Sequence, residues 1–73
     1  MAPDQDTLKT PGQILRKALE METQARDFYA VIANSCRIGF VRELLEKLQN
    51  EEYRHMSLVQ DMIRRLESGK DLV

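Results

Sequence analysis

Seventy-three residues with eleven basic and twelve acidic side chains, a net charge of −1 and 42% apolar residues make one small domain, and so short a chain needs a metal, disulfides or self-association to hold a thin core together. A single cysteine, Cys36, excludes a disulfide within the chain and suits a reducing, cytoplasmic setting. With no basic stripe, no apolar run of about 18 residues, no signal-peptide pattern, no CxxC pair and no glycine-rich phosphate loop, the sequence points away from nucleic acid, membranes, thiolate metal sites and nucleotides.

Residues 1–9 are polar, contain Pro3 and show no period, so a disordered arm is expected there. Thr10-Pro11-Gly12-Gln13 then reads as a helix start: Thr10 caps, Pro11 fits the first helical position and Gln13 completes a capping box. Helix 1 is expected over about 11–35. Its inner stripe is Leu15, Ala18, Glu22, Ala25, Tyr29, Ile32 and Cys36 in steps of three and four, flanked by Ile14, Met21 and Phe28. One acid, Glu22, occupies a core position, whereas Glu20 and Asp27 fall off the stripe into solvent.

Turn-prone residues from Asn34 to Gly39 break the pattern, and Gly39 can adopt the positive φ that a helix end or tight turn demands. So short a break implies an antiparallel hairpin. Helix 2 is expected over about 40–67, ending at Gly69 with Arg64 and Arg65 against the negative end of its dipole, and residues 69–73 form a tail. Its seam is Val41, Leu45, Leu48, Glu52, His55, Val59, Met62 and Leu66. A carboxylate and an imidazole thus stand where leucine would ordinarily stand, and an unpartnered buried carboxylate costs several kcal/mol or takes up a proton. Arg42-Glu43, Glu46-Lys47 and Arg64-Arg65 read as a solvated outer face with pairs such as Glu43 to Lys47.

A hairpin folded about residues 37 and 38 places about position 53 opposite Glu22, so Glu22, Glu52 and His55 are expected to meet within one turn of roughly 5.4 Å. Long helical side chains lean toward their own N-terminus, which directs the Tyr29 phenol toward Glu22. One chain supplies two carboxylates and one imidazole. Two chains about a twofold axis supply four and two, the set of di-iron carboxylate four-helix bundles. The expected fold is therefore all-α: an antiparallel two-helix hairpin that dimerises into a four-helix bundle and so covers its apolar stripe.

Glu22-Thr23-Gln24-Ala25-Arg26-Asp27-Phe28-Tyr29 resembles the first ligand helix of rubrerythrins, and Glu51-Glu52-Tyr53-Arg54-His55 resembles their second motif. Rubrerythrins and ferritins carry this pair of motifs twice in one chain. Here it occurs once, which is most similar to the half-ferritins, above all the encapsulated ferritins, in which two hairpins build a di-iron ferroxidase site between subunits. The resemblance spans roughly Ile14 to Leu66. It implies that Glu52 bridges two irons per dimer, that Glu22 and His55 each bind iron, and that Tyr29 lies beside the site. It also implies oxidation of Fe(II) by dioxygen or peroxide, for iron handling or storage.

Two features depart from that pattern. Met21 and Gln24 stand where encapsulated ferritins carry extra acids, and Ser68-Gly69-Lys70-Asp71-Leu72-Val73 does not resemble a shell-docking peptide. The rubredoxin segment of full rubrerythrins is absent from this sequence, so a rubrerythrin-like peroxide-reducing role needs an external electron donor. The partners this implies are a second copy, a ring of dimers, an encapsulin shell or that donor, with the protein in the cytoplasm or inside a protein nanocompartment. The residues themselves leave a second class open: a non-catalytic helical dimerisation module using the Glu and His cluster for structural zinc or manganese, or as a polar register device.

Overall fold

The computed structural model describes residues 10–69; the expected arm over 1–9 and residues 70–73 of the expected tail lie outside the described residues. Two α-helices run antiparallel, α1 (Pro11–Ser35) and α2 (Gly39–Ser68), and no strand occurs among the described residues. Neither helix is long and apolar enough to cross a membrane.

The start of α1 is fixed by its first residues. Gln13 N–H donates to the Thr10 hydroxyl at 3.1 Å while Thr10 N–H donates to Gln13 Oε1 at 3.1 Å, a reciprocal capping box that spans Pro11. At the other end Cys36 N–H donates to the Ala33 carbonyl at 3.2 Å. The Arg42 guanidinium then reaches back from α2 and donates to the Cys36 carbonyl from Nε at 3.1 Å and Nη2 at 2.6 Å. Arg42 is thus a staple across the turn and not a purely solvated charge.

Gly39 departs from expectation. It is the first residue of α2, and the only positive φ among the described residues belongs to Gly69 at 70°. The chain turns through extended residues instead: Cys36 (φ −82°, ψ 127°) and Ile38 (φ −94°, ψ 114°) redirect it without a left-handed residue. Gly69 ends α2 in the left-handed conformation that favours glycine, with Arg65 in the last turn beside the negative dipole end.

The hairpin measures 51 × 31 × 12 Å, so it is one helix thick. A single layer leaves little to bury. Ala33, 4% exposed, is the only buried residue among those described, and the helices touch along half-buried positions such as Leu15, Leu19, Tyr29, Leu45, Leu48 and Val59. The seam of α2 also shifts from its expected course. Met56 and Ile63 are half-buried while His55 and Met62 are exposed, because steps averaging less than 3.6 residues drift around a helix and carry the line off its partner.

The displaced line joins a second apolar face. At about 100° per residue, Ile14, Met21 and Phe28 align on α1, and Leu44, His55, Leu58 and Met62 align on α2. Both lines trail their helix contact line by a similar angle, and in antiparallel helices that places them on the same side of the hairpin. All of their apolar members are exposed.

At the open end, Arg16 Nη2 pairs with Glu67 Oε2 at 2.8 Å and links the start of α1 to the end of α2. The expected Glu43 to Lys47 ion pair does not form among the described residues; Lys17 and Glu20 pair instead, at 3.1 Å.

Candidate metal centre

Near mid-height, α1 presents Glu22 and α2 presents Glu52 and His55. One ligand atom from each lies within 4.8 Å of the other two. His55 Nδ1 is 3.2 Å from Glu22 Oε2 and 3.2 Å from Glu52 Oε1. The i,i+3 spacing stacks Glu52 and His55 on one face, and the hairpin register brings Glu22 to their level. The side chains of Glu52 and Glu22 are 15% and 29% exposed, against 46% for His55. The carboxylates therefore lie between the helices, and the imidazole lies at the edge facing the second apolar line.

The electrostatics describe a site short of positive charge. The hydrogen bond with the Glu22 carboxyl is the first cause that raises the Glu52 pKa above the ordinary carboxylate value; burial adds to it, and His55 opposes it. The His55 pKa is raised as well, first by its hydrogen bond to Glu52 and then by that to Glu22, because both carboxylates stabilise the imidazolium. Both shifts favour proton uptake at the cluster, as two carboxylates facing one imidazole require. Two carboxylates and an imidazole form an oxygen-and-nitrogen set that suits iron, manganese or zinc, so the residues present fit a divalent metal.

Three of the four expected site residues come together in this cluster. Tyr29 is half-buried and its ring meets Phe28 edge-on, with centroids 5.7 Å apart and an interplanar angle of 62°; among the described residues no hydrogen bond joins it to Glu22, Glu52 or His55. Two neighbours escape a reading of ligand spacing. Arg26 lies with its Cζ 5.3 Å from the Tyr53 ring centroid, a cation–π contact that joins α1 to α2. The available signal was positional: Arg26 follows Glu22 by four residues and Tyr53 follows Glu52 directly.

The sequence model of the rubrerythrin family matches residues 13–73, a span that holds α2, all but the first two residues of α1 and every expected site residue. No curated protein matches the chain, and no solved structure does.

Proposed function

This chain belongs to the rubrerythrin family, within the ferritin-like superfamily, and from that premise and the cluster's geometry we propose that it is an iron-handling oxidoreductase whose metal centre is completed by a second copy. The observation that carries the reading is the meeting of Glu22, Glu52 and His55 within 4.8 Å on a hairpin only 12 Å thick. One copy supplies three ligands. Two copies supply four carboxylates and two imidazoles, the complement of a two-iron carboxylate bundle.

The exposed apolar line supports face-to-face pairing. It flanks His55 with Leu58 and Met62, so covering it brings a second His55 toward the same centre while burying leucine and methionine surface. Pairing of two hairpins gives the ferritin-like four-helix bundle, here a homodimer or a ring of such dimers, in the manner of encapsulated ferritins. Cytoplasm, or a nanocompartment within it, is the setting that reading favours.

The residues divide the work by position. Glu52, the most shielded of the three, is the carboxylate that would be shared between the two irons, and its raised pKa sets a proton in competition with the cation there. Glu22 supplies the carboxylate of the other helix. His55 would bind through a neutral ring nitrogen, and its raised pKa makes metal binding there compete with a proton. Tyr29 stands on the same stripe of α1 as Glu22, two turns further on, and would face the interior of that bundle. Iron held by this hard set is stabilised as Fe(III), which favours oxidation of Fe(II) by dioxygen or peroxide.

The test is Fe(II) oxidation, followed separately with dioxygen and with hydrogen peroxide. Wild-type protein oxidises Fe(II) and Glu52→Ala does not; equal rates would overturn the reading. Preference for peroxide would select the rubrerythrin-like role with an external electron donor, to which the family match lends support. Tight metal binding without oxidation would select a structural zinc or manganese site.

A further inference from the structure

We propose that Tyr53 and Asp27 hold the Arg26 guanidinium away from Glu22 and so keep the carboxylate pair open to a divalent cation. The inference rests on Glu22, Glu52 and His55 being the metal ligands. Arg26 follows Glu22 by four residues, and a glutamate four residues before a cation is the favourable order for a helical ion pair. That pair does not form here. Arg26 instead places Nε and Nη2 each 2.9 Å from Asp27 Oδ1 and lays its guanidinium over the Tyr53 ring, while Glu22 turns to His55.

The diversion has a chemical consequence. A guanidinium is always charged and matches a carboxylate with two parallel donors, so an arginine on Glu22 would occupy the oxygens and offset the charge that a metal requires. Only 24% of the Arg26 side chain is exposed, so it is held at the helix interface beside its competitor's ligand. Tyr53 supplies the hold from α2, and Asp27 supplies it from the neighbouring position of α1. On the helical rotation given above, Arg26 and Tyr53 fall on the side of the hairpin opposite the apolar line, so a second copy packed on that line leaves the clasp untouched. Tyr53 and Asp27 are positioning residues in this account, since neither joins the ligand cluster.

Co(II) is the probe, titrated into the full chain at fixed protein concentration against a competing chelator, with helicity and native mass recorded for each variant. Tyr53→Leu frees Arg26 to pair with Glu22 and is expected to weaken Co(II) binding roughly two- to fivefold, the scale of a partly shielded helical ion pair. Added salt should shrink that difference. Arg26→Gln should bind at least as tightly as wild type, and the double variant should return to the Arg26→Gln value. Asp27→Asn removes the other hold and carries the same expectation as Tyr53→Leu should the latter fail to fold. Unchanged affinity in Tyr53→Leu, or a loss that persists in the double variant, overturns the inference. Wild-type binding that is lost in Glu52→Ala but indifferent to Tyr53 overturns the inference alone, and wild-type binding indifferent to Glu52 overturns the metal-site reading with it.

Discussion

Glu22 and His55 meet across 33 residues of chain, with the carboxylate Oε2 3.2 Å from the imidazole Nδ1. That same nitrogen also stands 3.2 Å from Glu52 Oε1. One ring nitrogen is thereby shared between two carboxylates and can satisfy neither fully, whereas a metal ion with several coordination positions can accept an oxygen from each acid and the nitrogen as well.

Removing one ligand should therefore cost metal affinity and not helical structure. Glu52→Ala and His55→Ala are each expected to weaken Co(II) or Fe(II) binding by at least about tenfold to a hundredfold, the loss seen when merely the supports of metal ligands are removed. Circular dichroism should show helicity retained. Wild-type affinity in either variant would contradict the assignment.

The two raised pKa values work in the same direction. Folding raises Glu52 above its ordinary 4.5 and His55 above its ordinary 6.5, so the metal-free fold binds protons more tightly than the unfolded chain does. The stability they contribute is fully present below each ordinary value and is lost as pH rises through each raised value. Metal-free protein should accordingly be more resistant to urea at about pH 5 than at about pH 8. Metal affinity should run oppositely and climb over that interval as the protons leave; a metal-free stability that rises with pH would contradict the electrostatic account.

The open apolar line predicts an association defect. Met21→Lys and Leu58→Lys place charge on the face proposed to receive a second copy, and losing about 1.5–3 kcal/mol of side-chain burial per site should weaken self-association roughly tenfold or more. Sedimentation velocity over a dilution series would show it. Variants that assemble like wild type would move the interface elsewhere.

The capping box gives a local check on the fold. Thr10→Ala removes the acceptor for Gln13 N–H and should cost about 0.5–2 kcal/mol of stability, read from urea unfolding. Thr10→Asn, which retains a capping oxygen, should recover most of it.

Much of this was legible in the sequence because it depends on local rules. The reciprocal bonds of Thr10 and Gln13 follow from four residues, and the level match of Glu22 with Glu52 and His55 follows from helix rise and hairpin register. Long-range choices by flexible side chains were not legible. Arg42 had no pattern to mark it as the donor to the Cys36 carbonyl, and Arg26 had two acids available at short range, Glu22 and Asp27, of which it takes Asp27 while its guanidinium lies over the Tyr53 ring. The Gly39 expectation failed for a different reason: extended Cys36 and Ile38 reverse the chain without the freedom that glycine offers.

The most direct test of the central claim is an anaerobic Fe(II) titration of metal-free protein followed by native mass spectrometry. The account predicts a mass of two chains carrying two irons, absent in Glu52→Ala. Iron bound to a single chain, or a pair of chains that takes up the same iron without Glu52, would contradict it.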